Sequence, residues 1–212
     1  MGVSLVVVCA VAFLLGSIPF GLVLVHLFRG VDVRTTGSGN IGTANVARIA
    51  PALGLWTLVL DAAKGFVAVI LAKPIAAHVS PTAADSSHLP IILGASALFA
   101  VLGHVFSVFL KFKGGKGVAT ALGTFLALMP MAVLIVFVIY VVIYAMWHYT
   151  SLASITSAAL FPVVAAFFMK PEERPLLLPF LVAISLLIIV KHRANIRRLL
   201  AGTENRLELK RH

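Results

Sequence analysis

The sequence predicts an all-α integral membrane protein, a polytopic bundle of about seven transmembrane helices with the N-terminus outside and the C-terminus in the cytoplasm. Three observations support this fold class. Of the 212 residues, 61% are hydrophobic and 11% are charged, with a mean hydropathy of +1.09. Long apolar stretches recur along the chain, and basic residues cluster between them. A water-soluble core cannot bury so much apolar surface, so the bilayer must act as the solvent.

The predicted spans follow the apolar stretches. Bounded stretches run from Val3 to Phe28, from Ile49 to Ala72, from Leu89 to Leu110 and from Leu176 to Val190. A longer stretch is interrupted by Pro130 and by the polar residues 148–151, which divide it into Val118 to Met129, Met131 to Trp147 and Leu152 to Met169. Each bounded stretch is expected to cross about 30 Å of hydrocarbon, whereas Val118 to Met129 is short and should be tilted or incomplete.

The distribution of Lys and Arg predicts the sidedness. Residues 29–48 hold three, residues 111–116 hold three and residues 191–211 hold seven, whereas the opposite loops hold only three. The positive-inside rule therefore places the three basic segments in the cytoplasm. They can lie on one side only if an even number of membrane crossings separates the second basic segment from the third. Four crossings there satisfy this condition and give seven spans in total. A five-span arrangement with one long helix and a re-entrant segment satisfies it too.

The formal charge of +10 favours anionic lipid headgroups and phosphorylated substrates over nucleic acid, because the basic residues lie between apolar runs. Cys9, the single cysteine, excludes a disulfide framework and a cysteine metal pair, and no metal site is predicted. The first apolar stretch carries no basic residue before Arg29 and is too long for a signal peptide, so we expect a retained span.

The first cytoplasmic segment contains Gly37, Gly39 and Gly42, which match the dinucleotide fingerprint G-x-G-x-x-G. That fingerprint works only in a βαβ unit, and here it lies between two membrane spans, so we interpret the match as accidental. The glycines, the polar side chains between them and Arg48 remain compatible with an anion-binding loop. A polar surface loop with glycine turns is the alternative.

The second segment, Phe112-Lys113-Gly114-Gly115-Lys116-Gly117, follows Gly103-His104 and opens onto an apolar helix. It lacks the P-loop spacing, which argues against a nucleotide. Three glycines, a lysine and a helix N-terminus favour a phosphate group. The alternative is a helix-breaking loop whose lysines only anchor to headgroups.

Three further sets of residues are candidates. His192 and Asn195 share one helix face in the basic tail, together with Arg198 or Leu199. The hydroxyl cluster Tyr149 to Ser154 lies between two long apolar helices and includes Ser151. Asp61 and Lys64 lie three residues apart within the second span, and we expect them to form an ion pair, with direct catalysis as the alternative.

These motifs together resemble the bacterial acyl-phosphate:glycerol-3-phosphate acyltransferase family over essentially the whole chain. The resemblance is carried by Gly37-Ser38-Gly39-Asn40-Ile41-Gly42-Thr43 with Asn45 and Arg48, by Gly103-His104 with the segment Phe112 to Thr120, and by His192 with Asn195. It implies a seven-helix bacterial inner-membrane enzyme of phospholipid biosynthesis, with its site on the cytoplasmic face. It implies acyl transfer from acyl phosphate to the sn-1 hydroxyl of glycerol 3-phosphate, giving lysophosphatidic acid and inorganic phosphate.

The resemblance also implies the site. His192, Lys116 and Asn195 are the expected catalytic residues. The expected substrate contacts are Ser38, Asn40, Arg48 and Ser151, with Gly114, Gly115 and Gly117 around the acyl phosphate. No cofactor is expected, and an upstream enzyme that forms acyl phosphate is an expected partner. The donor carries its own leaving group, so alignment and charge neutralisation suffice without a protein nucleophile. His192 or a substrate phosphate oxygen could accept the hydroxyl proton.

Residues 1–212 are expected to form a single transmembrane acyltransferase domain. The chain contains no His followed five residues later by Asp, so it lacks the H-x-x-x-x-D pair of other glycerolipid acyltransferases. Two other classes remain open on the residues alone: a secondary transporter for an anionic solute, and a noncatalytic lipid-binding scaffold. A transporter would place its site near the bilayer midplane between internal repeats, whereas these motifs cluster at span ends.

Overall fold

The computed structural model describes residues 2–80, 82, 85 and 87–207, and the regular secondary structure in these residues is helical. The helices in chain order are α1 (Gly2–Ser17), α2 (Phe20–Arg29), α3 (Thr43–Ile49), α4 (Pro51–Val79), α5 (Leu89–Val105), α6 (Val118–Leu128), α7 (Pro130–Trp147), α8 (Thr150–Phe168), α9 (Arg174–Lys191) and α10 (Arg193–Leu200). The predicted all-α class is confirmed.

Six helical segments of the described chain are long and apolar enough to cross a membrane: Gly2–Arg29, Pro51–Val79, Leu89–Leu110, Pro130–Trp147, Thr150–Phe168 and Arg174–Lys191. The seventh apolar helix, α6, has 11 residues. At 1.5 Å per residue it extends about 16 Å, well short of the roughly 30 Å hydrocarbon core. The predicted seven spans are therefore six full-length ones and one incomplete one, and the five-span arrangement is not observed.

Both boundaries of the second span differ from the sequence prediction. The second span was expected to end at Ala72, but α4 continues through Pro74 to Val79. Proline is tolerated in membrane helices because neighbouring groups can satisfy the freed carbonyl. The same span was expected to begin at Ile49, but α3 ends there and the backbone is extended at Ala50 before α4 begins at Pro51.

The first span is interrupted between α1 and α2, where Pro19 cannot donate a backbone hydrogen bond. Side chains from elsewhere satisfy the carbonyls at this break. Lys64 Nζ donates to the Ile18 carbonyl at 2.7 Å, and Ser107 Oγ donates to the Ser17 carbonyl at 2.5 Å. The break therefore connects the first span to α4 and to the end of α5.

Glycines allow close packing between α1 and α5 and between α4 and α6. A Cβ at Gly16 would overlap the Ala100 backbone, and a Cβ at Gly123 would overlap the Ala62 carbonyl. Small residues of this kind are a common means of helix association in membranes, because van der Waals contact must replace the hydrophobic effect. The larger apolar core lies between α5, α6, α7, α8 and α9, where the Phe125 and Phe161 rings stack with centroids 3.8 Å apart.

Three polar segments, residues 30–42, 106–117 and 192–207, meet at one end of the bundle, which we call the polar end. The Lys116 side chain contacts Asn195, and Ser151 at the start of α8 contacts Glu204. Accordingly, α6 and α8 lead away from this end, and α7 and α9 return to it. The basic segments that the parity argument required on one side of the membrane therefore lie together.

Candidate functional site

The side chain of Asn45 organises the first polar segment. Its Oδ1 accepts a hydrogen bond from the Ser38 N–H at 2.9 Å, and its Nδ2 donates to the carbonyls of Val33 and Thr36 at 3.1 and 3.0 Å. Gly37 has φ +54°, and a Cβ there would overlap Asn45 Oδ1, so this turn requires glycine. Asn45 therefore holds the segment in one conformation.

Three predicted substrate contacts of this segment, Ser38, Asn40 and Arg48, line a cavity at the polar end. Asn40 Oδ1 accepts a hydrogen bond from the Gly42 N–H at 2.9 Å, which fixes the amide beside the cavity. The glycines precede the short helix α3, and the described residues contain no strand that could feed them. The dinucleotide fingerprint is therefore accidental, as the sequence predicted.

The second polar segment folds back onto the end of α5. The N–H groups of Gly114 and Gly115 donate to the carbonyls of Val105 and His104, both at 3.1 Å. These two N–H groups are thus engaged, and the two glycines do not line the cavity. Gly117 does line it, with φ +87° just before α6. Of the three glycines predicted to surround a phosphate, only Gly117 reaches the cavity wall.

A hydrogen-bond network connects the second and third polar segments. Lys116 Nζ donates to Asn195 Oδ1 at 2.6 Å, and Asn195 Nδ2 donates to Glu204 Oε1 at 2.5 Å. Ser151 Oγ donates to the same carboxylate oxygen at 2.8 Å, and Arg198 Nε donates to Oε2 at 2.6 Å. The predicted residues Lys116, Asn195 and Ser151 are therefore brought together by Glu204.

The charge on Glu204 is stabilised by this network. Burial alone would raise the pKa of its carboxyl group, but hydrogen bonds from Asn195, Arg198 and Ser151 outweigh burial and lower the pKa below its ordinary value. A carboxylate that accepts several hydrogen bonds keeps its charge. Glu204 is therefore an anion that orients three donors at the cavity wall.

Lys116 is a partly desolvated cation. Burial lowers the pKa of its ammonium group to about 8; Glu204 opposes this change, and the positive charges of Arg198 and Arg48 add to it. Cations that repel one another at a common wall create a site for an anion. The pKa remains above neutrality, so Lys116 is mostly protonated at pH 7.

His192 is neutral at physiological pH. Burial, followed by the charge of Lys116, lowers the pKa of its imidazole to about 4. Its Nδ1 lies 2.8 Å from the Ile188 carbonyl, which can only accept, so Nδ1 carries the proton and Nε2 is an acceptor. His192 lines the cavity as a hydrogen-bond acceptor.

The cavity has a volume of about 310 Å³ and two chemically different parts. Its polar part is lined by Ser38, Asn40, Arg48, Lys116, Ser151, His192, Asn195 and Arg198. Its apolar part, which we call the apolar arm, extends between α6, α7 and α8 and is lined by Leu122, Phe125, Val133, Val136, Phe137, Ala158 and Phe161. One cavity thus offers a cationic end and an apolar arm of the kind that an acyl chain needs.

A buried polar cluster lies beside the cavity. The expected ion pair of Asp61 and Lys64 is confirmed, with Nζ 2.7 Å from Oδ1. Lys64 Nζ also lies 3.0 Å from His104 Nδ1, so the cluster has a third member that the sequence interpretation did not include. Asp61 and His104 line the cavity.

Glu204 and His104 are the site residues that sequence reasoning missed. Glu204 lies between the basic residues Arg198 and Arg206 of the tail, and an unlike charge in a basic segment was an available signal. His104 stood in a motif, but its contact with Lys64 depends on how α4 packs on α5. The described residues hold no group of three or more His, Cys, Asp or Glu side chains that could bind a metal ion.

Comparisons with known proteins find relatives over nearly the whole chain. The model of the family described as glycerol-3-phosphate acyltransferase matches residues 6–202. The chain is 48% identical over 196 residues to a glycerol-3-phosphate acyltransferase of Geotalea daltonii, covering 92% of this chain and 93% of that protein. It is 50% identical over 204 residues to a protein of the same description from Geobacter metallireducens, with coverage of 96% and 97%.

Two solved structures are similar over nearly the whole chain. Both are crystal structures of PlsY (YgiH), an integral membrane glycerol 3-phosphate acyltransferase, one in its glycerol 3-phosphate form and one in its lysophosphatidic acid form. The TM-scores are 0.83 and 0.81, and each is 39% identical in sequence, covering 97% of this chain and 96% of the other.

Proposed function

The chain belongs to the glycerol-3-phosphate acyltransferase family and is a membrane acyltransferase of phospholipid biosynthesis, and on that premise we propose how its cavity performs the reaction. The donor is an acyl phosphate, and the acceptor is the sn-1 hydroxyl of glycerol 3-phosphate. The observation that carries this proposal is the continuity of the cationic end of the cavity with the apolar arm. With the enzyme class established by its relatives, the transporter and scaffold alternatives fall away.

The phosphate of glycerol 3-phosphate binds at the polar end. Lys116 and Arg48 line the cavity and supply charge, and the exposed Ser38 supplies a hydroxyl at the entrance. Charge-assisted hydrogen bonds are roughly twice as strong as neutral ones, so the two cations account for most of the affinity. Asn195 and Glu204 act on this step by fixing the position of Lys116.

The hydroxyl of glycerol 3-phosphate donates to His192 Nε2, which orients the attacking oxygen. A group with a pKa of about 4 is a weak base at neutral pH. The proton of the hydroxyl therefore passes to a phosphate oxygen of a substrate as the new acyl–oxygen bond forms and the bond to the leaving phosphate breaks. A bound phosphate dianion would raise the pKa of His192, so the imidazole retains a share in stabilising the transition state.

The acyl chain occupies the apolar arm, which brings the acyl phosphate headgroup to Lys116 and Gly117. Gly114 and Gly115 do not contact the phosphate. Their N–H groups bond to the end of α5 and so fix the position of the loop that carries Lys116. The protein supplies alignment and charge neutralisation, and the donor supplies its own leaving group.

The polar end faces the cytoplasm by the positive-inside rule, in a bacterial inner membrane. In this orientation, a cytoplasmic enzyme that activates fatty acyl groups supplies acyl phosphate from the same side of the membrane as the site. The family match over residues 6–202 and the shared helical core support one domain across residues 1–212.

The donor proposal is tested by the release of inorganic phosphate from purified protein in lipid. We expect release when acyl phosphate and glycerol 3-phosphate are both present and none when either is left out, and we expect no lysophosphatidic acid when acyl-CoA replaces the donor. A Lys116→Ala variant should raise the KM for glycerol 3-phosphate by roughly tenfold or more, because it removes a charge-assisted contact. No release from folded protein that binds glycerol 3-phosphate would reject acyl phosphate as the donor.

A further inference from the structure

His104 lies at the end of α5, is 4% exposed and lines the cavity. Its imidazole ring faces two different environments. Nδ1 lies 3.0 Å from Lys64 Nζ, inside the buried polar cluster. The Nε2 edge packs against Gly115. Any other residue at position 115 would place its Cβ where His104 Nε2 lies. The ring therefore lies between the buried cluster and the loop that presents Lys116.

The contacts of Lys64 determine which ring nitrogen carries the proton. An ammonium group has three N–H donors and no acceptor. Lys64 Nζ lies 2.7 Å from Asp61 Oδ1, 2.7 Å from the Ile18 carbonyl and 3.0 Å from His104 Nδ1. The contact with Asp61 Oδ1 is an ion pair, and the other two are hydrogen bonds. Because the ammonium group can only donate, His104 Nδ1 must present its lone pair to it. The imidazole is neutral, and its proton is on Nε2.

With Lys64 in place, Asp61 is not itself a hydrogen-bond partner of the ring. Its Oδ1 lies 3.7 Å from His104 Nδ1, which is too long for a hydrogen bond. The hydrogen bonds of the described residues engage the ring at Nδ1 and include none at Nε2. Because His104 lines the cavity, its unengaged donor is available to a ligand atom that accepts a hydrogen bond.

We propose that His104 is a further catalytic residue, whose neutral imidazole donates a hydrogen bond from Nε2 to a phosphate oxygen of the acyl donor. This inference rests on acyl phosphate being the donor. The bond between the acyl carbon and the hydroxyl oxygen forms while the bond to the phosphate oxygen breaks, and the hydroxyl proton goes to the phosphate. His104 keeps its own proton throughout. A donor aimed at the leaving phosphate is most valuable while charge develops there.

Lys64 and Asp61 are positioning residues in this scheme, because they act on the substrate only through His104. Lys64 does not line the cavity; it holds the ring in the Nε2–H form. Asp61 in turn holds the charge of Lys64 at 2.7 Å inside the membrane. Without Lys64, the Nδ1–H form could donate to the Asp61 carboxylate, which would turn Nε2 into an acceptor facing an anion.

The first test compares His104→Ala and His104→Gln. We expect His104→Ala to lower kcat with acyl phosphate by roughly ten- to a hundredfold, because a hydrogen bond to a charged group is lost. The KM for glycerol 3-phosphate should stay within about twofold, and His104→Gln should recover part of kcat, because its amide can donate. An unchanged kcat, or a parallel rise in the KM for glycerol 3-phosphate, would overturn the proposal.

The second test is a double-mutant cycle between Lys64→Met and His104→Ala. We expect Lys64→Met alone to lower kcat, and to add little in the His104→Ala background, because its effect passes through the ring. Additive losses would mean that Lys64 acts independently and would contradict its positioning role. Ser96→Ala is the matched control, because Ser96 Oγ also connects α5 to α4, by donating to the Ala68 carbonyl at 2.8 Å, but does not line the cavity.

A spectroscopic measurement covers the case in which these variants do not fold. Nitrogen NMR of wild-type protein labelled at its histidine rings reports which nitrogen of a buried, slowly exchanging imidazole is protonated. We expect one neutral imidazole protonated at Nε2 whose Nε2 signal shifts when a non-reactive acyl phosphonate binds. His192 accounts for one buried ring protonated at Nδ1. A second such ring, a buried ring protonated at both nitrogens, or no shift on binding would overturn the proposal. If acyl phosphate were not the donor, the wild type itself would fail to turn over, which is a separate result.

Discussion

Lys116 and His192 lie at one cavity wall, and their pKa values are both lowered, yet they reach opposite charge states at neutral pH. The pKa of Lys116 falls to about 8 and that of His192 to about 4, with burial as the first cause of each. Lys116 therefore stays a cation that attracts phosphate, and His192 stays a neutral acceptor. The same desolvation thus produces two roles, because the two groups start from ordinary values on either side of neutrality.

For Lys116 we expect a loss of function on the alkaline side. Phosphate binding is fully present below about pH 8 and is lost as pH rises through the pKa, because the ammonium group then loses its proton. The kcat/KM for glycerol 3-phosphate, measured from about pH 6 to pH 10, should therefore fall above about pH 8. Lys116→Arg should move this fall to higher pH, since guanidinium does not titrate in that range. An identical profile in both proteins would refute this assignment.

For His192 we expect no titration near its ordinary pKa. The imidazole is neutral above about pH 4 in the free enzyme, so it should contribute no limb to kcat/KM from about pH 5.5 to 7.5. A limb near pH 6 would report the second ionisation of the substrate phosphate, and it should persist in His192→Ala. His192→Ala should nevertheless lower kcat, because the attacking hydroxyl loses its acceptor. A wild-type limb near pH 6.5 that disappears in His192→Ala would instead identify His192 as the general base. A change in KM alone would leave it a binding role only.

At the scale of elements, α6, α7 and α8 combine to form the apolar arm, and the short α6 closes part of it through the stacked Phe125 and Phe161 rings. A short helix at this position was predicted from Pro130 and the length of the apolar run. Its packing against α4 was not, because the contact depends on the missing side chains of Gly65 and Gly123 on two helices far apart in sequence. Hydropathy records length and polarity, but it carries no information about which helix faces which.

Narrowing the apolar arm should shorten the preferred acyl chain. Ala158 lines the arm and is buried, so in Ala158→Leu we expect the added isopropyl group to occupy space that the distal acyl carbons use. The ratio of kcat/KM for long and short acyl phosphates should fall, since one methylene in an apolar pocket is worth about 1–3 kcal/mol. Ala159→Leu, on the exposed neighbouring position, is the control and should leave the ratio unchanged. An equal ratio in Ala158→Leu and wild type would place the acyl chain elsewhere.

At the scale of the whole molecule, the membrane class, the helix order and the meeting of three basic segments were predictable from hydropathy, charge and parity. The predicted contacts Lys116, Asn195, His192, Ser38, Arg48 and Ser151 all reach one cavity. The network through Glu204 and the cluster with His104 were not predictable, because each depends on side chains from helices separated by long stretches of chain. Sequence spacing finds partners within one turn of a helix, as it did for Asp61 and Lys64.

The orientation of the whole bundle has its own test. In a Cys9→Ser background, Ser87→Cys and Lys113→Cys place one exposed thiol at each end of the bundle. A membrane-impermeant thiol reagent added to intact cells should label Ser87→Cys and should label Lys113→Cys only after the membrane is opened, because the positive-inside rule places Lys113 in the cytoplasm. Labelling of Lys113→Cys in intact cells would reverse the orientation.

The most direct measurement of the central claim is a donor competition in one reaction. Purified protein in lipid receives glycerol 3-phosphate together with equal amounts of an acyl phosphate and an acyl-CoA that carry the same chain with different isotopic labels. Mass spectrometry of the product should find lysophosphatidic acid that carries only the acyl phosphate label, with inorganic phosphate released in equal amount. Product that carries the acyl-CoA label would contradict the account.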